Sequence, residues 1–168
     1  MAAEQARVVA SNQKQLVVFR LAGELYGVDI HQVREIIRVP EITRVPRTPD
    51  FVEGVINLRG SVIPVLDLRK RFGMPPGAAD ADRRIVVVEM GEQTLGVIVD
   101  AVSEVLRLEG DRIEPPSPYI VSLDTQYITG IARLDDRLVI LLDLNRVLHA
   151  HERDELERIE ERVADVDG

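Results

Sequence analysis

The chain has 168 residues, 45% of them hydrophobic and 30% charged, with 11 glycines, 9 prolines and no cysteine. That length and apolar content suit one or two ordinary globular domains, and the missing thiols exclude a disulfide framework, a thiolate metal site and a cysteine nucleophile. The formal charge of -8 opposes an electrostatic footprint on phosphate backbones, so no nucleic-acid partner is expected.

In chain order, residues 1–15 contain no apolar run long enough for a signal-peptide core. Nowhere do about 18 uncharged apolar residues run together, so a soluble cytoplasmic chain without membrane insertion is expected. Leu16–Leu21 and Tyr26–Ile30 read as a β-hairpin around Ala-Gly-Glu-Leu. His31–Ile37 places Val33, Ile36 and Ile37 at three- and four-residue steps, which predicts a short helical turn. The proline-punctuated VPEITRVPRTP belongs at an edge or in a connection, because proline cannot donate to a central ladder. Val52–Asn57 and Ser61–Asp67 form a second hairpin around Leu58-Arg59-Gly60.

After GMPPGAADADRR the same order of elements returns. Ile85–Met90 and Leu95–Val99 repeat the first hairpin, and Asp100–Leu106 repeats the expected helical turn. EPPSPYIVSL repeats the proline-rich connection, and Ile128–Arg133 with Leu138–Asp143 repeats the second hairpin. GVDIHQVREIIRV (27–39) lies over GVIVDAVSEVLRL (96–108) without a gap, and FVEGVINLRGSVIPVLDL (51–68) over YITGIARLDDRLVILLDL (127–144). The chain is therefore a duplicated unit. We delimit a first repeat at 15–72, a connecting loop at 73–84, a second repeat at 85–149 and an acidic C-terminal helix or tail at 150–168. In that tail Leu156, Ile159, Val163 and Val166 form one apolar stripe. Four or five short strands per repeat cannot cover their apolar faces as an open sheet, so the expected fold is mainly β: two packed five-stranded small barrels with short helices.

The chemistry-bearing residues are few. His149 and His151, in HAHE, lack a third ligand nearby, and His31 beside Asp29 lacks a nucleophile partner. No GxSxG elbow and no phosphate-binding glycine loop occurs. Asp67 and Asp143 hold the same place in both repeats, which points to a shared structural task such as a cap; the same holds for Gly54 and Gly130. An enzyme is therefore disfavoured, and no metal or other cofactor is expected. The repeats differ at one hairpin tip, Asn57-Leu58-Arg59-Gly60 against Arg133-Leu134-Asp135-Asp136, where the charge following the leucine reverses. Asn57 and Gly60 read as turn formers. Residues 31–72 carry eight basic against five acidic side chains, a surplus that could face an acidic partner.

LVVFRLAGELYGVDI, VREI, RVPRTPDFVEGVINLRGSVIPVLDLRKRF and LGVIVDAVSEVL together resemble the CheW-type coupling proteins of bacterial chemotaxis, over about residues 15–148. The NLRG-x-VIPV-x-DLR string is the most specific part. The resemblance implies SH3-like barrels, no catalysis, and an adaptor that joins the cytoplasmic tip of methyl-accepting chemotaxis receptors to the regulatory domain of the histidine kinase CheA in an array at the inner face of the membrane. It places Val33, Gly54, Arg59, Val102 and Val105 at or behind a receptor-facing groove, with Arg59 in direct contact and Gly54 as support, and Glu35 with Ile36 at a kinase contact. RRIVVVEM and PRTPD depart from familiar forms. A pilus-type chemosensory pathway is the alternative within the family, and a nucleic-acid- or ligand-binding barrel the alternative outside it.

Overall fold

Two stretches of the sequence, LVVFRL and IVVVEM, are apolar at nearly every position, where a strand with one wet face would alternate. The computed structural model, which describes residues 13–77, 80–117, 126–148, 152 and 155–159, gives the reason. Both strands are buried on both faces. Leu16 and Val18 point into one cluster with Leu25, Leu108, Ala132, Val139 and Leu141. Val17, Phe19 and Leu21, on the other face, enter a larger cluster that also holds Leu66, Val86, Val88 and Val97. The second stretch does the same, with Ile85 and Val87 packed against Ile56, Ile63, Val65 and Ile98, and with Val86, Val88 and Met90 in the larger cluster.

Eleven strands are described, β1 (Gln13–Leu21), β2 (Glu24–Asp29), β3 (Val33–Arg38), β4 (Val52–Leu58), β5 (Ser61–Asp67), β6 (Arg84–Met90), β7 (Gln93–Val99), β8 (Ala101–Glu109), β9 (Ile113–Glu114), β10 (Ile128–Arg133) and β11 (Leu138–Leu142), with a short helix, α1 (Leu68–Arg71), after β5. They make two sheets, ordered β8-β1-β2-β11-β10-β9 and β3-β6-β7-β5-β4. Each sheet thus takes its leading hairpin from the other repeat. β1–β2 pairs with β8 and β11, and β6–β7 pairs with β3 and β5. The limits 15–72 and 85–149 mark the repeats of the sequence, while the sheets cross them. The joins at β2–β11 and β7–β5 are parallel, and each has a glycine in register, Gly27 opposite Leu141 and Gly96 opposite Val65. A Cβ on Gly96 would stand 2.7 Å from Ile85 Cγ2, so this strand approaches its neighbour more closely than a side chain permits.

The fold is mainly β, in two β-subdomains. β9 adds a two-residue sixth strand to the first sheet; its counterpart in the second is the single bridge from Thr43 to Val55. The helical turns expected at His31–Ile37 and Asp100–Leu106 are not there, because β3 and β8 occupy those residues. Of the first stretch, His31 and Gln32 alone lie in a helical turn, the 3-10 turn Ile30–Gln32 that precedes β3. In β3 the half-buried positions are Val33, Glu35 and Ile37, but a bulge at Arg34 separates Val33, which packs against the larger cluster, from Glu35 and Ile37, which pair with Val87 and Ile85 on the opposite face. The apolar spacing suggested a helix because that bulge adds a residue between Val33 and Ile36, turning the two-residue step of a strand into three.

Polar ties hold the crossing points. Gln32 Nε2 donates to Asp143 Oδ1 at 2.9 Å, and Arg71 Nε to the Val147 carbonyl at 2.8 Å. Arg69 forks onto Asp100, with Nε donating to Oδ1 at 2.8 Å, while the Ala22 amide donates to Asp100 Oδ2 at 2.9 Å and Arg69 Nη1 to the Pro75 carbonyl at 3.0 Å. The Asp100 carboxylate therefore ties the first hairpin and α1 to the start of β8, and Arg69 carries the tie on to the connecting segment. Phe19, Tyr26, Phe72 and Tyr127 form a row of rings between the repeats, ending in a stacked pair 4.5 Å apart. Of the expected C-terminal helix, residues 152 and 155–159 are described and helical, and Leu156 and Ile159 are buried in the larger cluster.

Leu156→Ala should therefore lower the unfolding free energy by about 3 kcal/mol. Denaturant unfolding with Glu157→Ala as the control tests this, and equal stability of the two variants would mean the helix is not docked. Asp100 is held below its ordinary value of 3.8, chiefly by the hydrogen bonds from Arg69. A depressed value means stabilisation that is complete above the unfolded value and lost as pH falls through the folded one. Asp100→Asn should then cost about 2 kcal/mol near neutrality, roughly a 4–8 °C drop in Tm. The gap from the wild-type chain should close as melting is followed below about pH 3.8; a gap constant with pH would reject the pair as its source.

Candidate protein-binding site

In each sheet the strand at one edge reaches the hairpin at the other. β3 and β4 are the outer strands of the second sheet, yet Glu35 on β3 meets Arg59 at the β4–β5 turn. Arg59 Nη1 donates to Oε1 at 3.0 Å and Nη2 to Oε2, a two-pronged charge-assisted pair. Contact between opposite edges requires the sheet to curl round on itself, as a small barrel does. The turn that presents Arg59 has left-handed backbone at both central residues, φ 51° at Arg59 and 89° at Gly60, and Asn57 Oδ1 accepts from the Gly60 amide at 2.8 Å. Arg59 pays for that conformation with about 1 kcal/mol or more of backbone strain, and its side chain stays 68% exposed. The hydrogen bonds from Arg59 hold the Glu35 carboxyl below its ordinary range and raise Arg59 in turn. The pair is fully ionised at neutral pH.

The structure thus joins two residues assigned to different partners. Glu35 and Ile36 alternate across β3: Glu35 turns inward to Arg59, and Ile36 faces solvent at 39% exposure. Val105, the counterpart of Ile36 on β8, is 56% exposed. Val33 and its counterpart Val102 are half-buried against the cluster between the sheets. Gly54 does not reach the surface. It is buried at φ 150°, and a Cβ there would fall onto the Thr43 carbonyl oxygen at the Thr43–Val55 bridge. Its counterpart Gly130 has the Glu114 carbonyl oxygen 3.0 Å from where a Cβ would stand, so both glycines admit a neighbouring backbone.

The remaining candidates have structural tasks. Asp67 accepts from the Arg69 amide at 2.9 Å and caps α1; Asp143 accepts from the Asn145 amide at 3.0 Å and caps the equivalent 3-10 turn. His31 Nδ1 lies 2.8 Å from Asp29 Oδ1 on an exposed turn. His149 and His151 lie outside the described residues, and among those described no group of three or more His, Asp or Glu could hold a metal ion.

Sequence reasoning missed a second ion pair, Arg137 with Glu104, between the β10–β11 turn and the edge strand β8. Glu104 aligns with Glu35, whereas Arg137 aligns with Ser61 and Arg59 with Asp135, so the aligned repeats conceal it. The signal was the basic residue two positions beyond the tip.

Two curled sheets with clasped edges, aliphatic side chains exposed on both edge strands and aspartates committed to capping short turns make up a β-scaffold that presents apolar groups at its edges. Residues 15–152 match the CheW-like domain, and the chain belongs to that family. It is 38% identical to the chemotaxis protein CheW of Klebsiella aerogenes over 83% of this chain and 84% of that one. It is 32% identical to the chemotaxis protein CheW of Treponema pallidum over 88% and 89% of the two chains. The crystal structure of the scaffolding protein TtCheW from Thermoanaerobacter tengcongensis superposes with a TM-score of 0.76 at 46% identity, over 83% of this chain and 94% of that one.

Gly54→Ala should cost about 3 kcal/mol or more, since backbone rather than a movable side chain blocks the added methyl and the backbone angle disfavours it. Gly60→Asn, at an open turn position that asparagine tolerates, should cost under about 1 kcal/mol. Thermal melts of the two variants check the contrast, and equal stability would remove Gly54 from its supporting role.

Proposed function

We propose that the chain is a chemotaxis signalling adaptor that couples methyl-accepting receptors to the histidine kinase CheA in a scaffolded array. The observation that carries this reading is the clasp between Glu35 and Arg59. It sets an exposed arginine on one side of an edge strand and an exposed isoleucine on the other, so that β3 offers two partners two faces. Arg59 makes the polar contact with the receptor tip, Val33, Val102 and Val105 line or back the groove, and Gly54 supports the sheet behind it. Ile36 supplies apolar burial to the kinase regulatory domain, and Glu35 forms the charged rim of that contact. The adaptor works by binding rather than catalysis, on the cytoplasmic side, where receptor tips and kinase meet. With the two partners held on one rigid scaffold, receptor state biases the kinase through a coupling free energy and without a large change of shape in the adaptor.

The test is calorimetric titration of the full chain against the CheA regulatory domain and, separately, a receptor cytoplasmic-tip fragment. Ile36→Asp should weaken kinase binding by about tenfold or more and leave the receptor affinity within about twofold; Arg59→Ala should do the reverse. Glu35→Arg should weaken both, because it also removes the partner that holds Arg59. A folded wild-type chain that binds neither probe would overturn the adaptor reading.

A further inference from the structure

The second subdomain rebuilds the clasp of the first with an arginine from a different place. Both glutamates follow a bulge in an edge strand. The β3–β6 register slips between Val33 and Glu35, leaving Arg34 as the extra residue, and the β8–β1 register slips between Val102 and Glu104, leaving Ser103. Arg34 and Ser103 are equivalent in the repeat. A bulge bends a strand and re-aims the side chain beside it, here a glutamate in both cases.

The hairpins that meet them differ. In the first, left-handed Arg59 and Gly60 form a tight twisted turn that directs Arg59 at β3. In the second, Asp135 and Asp136 have no left-handed backbone, and Leu134 closes the turn by donating to the Arg137 carbonyl at 2.9 Å. Asp135 is left fully exposed, and the residue turned toward β8 is Arg137. Glu104 and Arg137 are 37% and 36% exposed, which shelters this arginine far more than Arg59. Arg137 Nε is buried with no acceptor among the described residues, so its hold on β8 runs through Nη2 and Glu104 alone.

β8 is also the strand that carries Val102 and Val105, on either side of Glu104. On one flank it is laddered to β1. We propose that Arg137 is a positioning residue for the second half of the receptor-facing groove. By gripping Glu104 at the bulge, it fixes the rotation of β8 and so the placement of Val102 and Val105, without touching the receptor itself. This rests on the adaptor reading above and extends it, since each half of the groove is then set by its own clasp.

The full chain, its Arg137→Ala variant and the charge-swapped double variant Glu104→Arg with Arg137→Glu are titrated with the receptor-tip fragment and with the CheA regulatory domain, and each is melted. Arg137→Ala should weaken receptor-tip binding by about fivefold, leave kinase binding unchanged, and melt within a few degrees of the wild-type chain; the swap should restore receptor affinity. Receptor binding equal to wild type in Arg137→Ala would overturn the proposal, as would an equal loss for both partners accompanied by a large fall in Tm. So would a folded swap variant that stays weak. If the wild-type chain itself binds neither probe, the adaptor reading fails first, which separates the two outcomes.

Discussion

The burial of both faces of β1 and β6 is the constraint on which the rest of the molecule depends. A hairpin with two apolar faces needs a cover on each, and a single repeat supplies only one. The exchange of hairpins answers this, since Leu16 and Val18 are covered by strands of the second repeat while Val17, Phe19 and Leu21 fill the space between the sheets. The same holds for β6 with the repeats reversed. At about 1.5–3 kcal/mol for each large apolar side chain buried, the cluster between the sheets binds the subdomains as firmly as an interior does. That is why Gln32, Arg69 and Arg71 can serve as locators at the crossings rather than as the main source of cohesion.

With the hairpins committed to the interior, the edge strands are left to present side chains to solvent. β3 and β8 are held on one side and clasped at one residue on the other, so beyond the bulge each has an inward row that closes the sheet and an outward row that meets solvent. The exposed aliphatics Ile36 and Val105 lie on that outward row. Polar and apolar contributions are divided along a single strand, and a partner meeting either row meets groups whose positions are already set. Little ordering entropy is then left to spend on binding.

Much of this was legible in the residues. Hairpin signals around Ala22-Gly23 and Arg59-Gly60 marked strands that lie within a few residues of those described, and the recurrence of Asp67 at Asp143 announced a cap. What escaped were the edge strands, since bulges at Arg34 and Ser103 break their alternation and a glutamate sits on the inward row just after each. That glutamate is turned toward its arginine, a contact made across the sheet and invisible to local periodicity. The exchange of hairpins was equally hidden, because identical pairing partners exist in both repeats and nothing local chooses between them. The one trace was the unbroken apolar character of LVVF and IVVV. Arg137 was lost to alignment, since a turn of different twist moved the task two positions along the chain.

The parallel joins carry a consequence for how the molecule is made. β2 finds its neighbour β11 more than a hundred residues downstream, and β5 meets β7 only after the connecting segment has been threaded. On the ribosome, the first repeat therefore emerges as a hairpin with both greasy faces bare and cannot finish its own sheet until nearly the whole chain has left the exit tunnel. Contacts of such long sequence separation slow folding and lengthen the time for which unpaired edges are open to neighbouring nascent chains. The entwining that makes the finished scaffold rigid thus makes its synthesis the moment of greatest exposure.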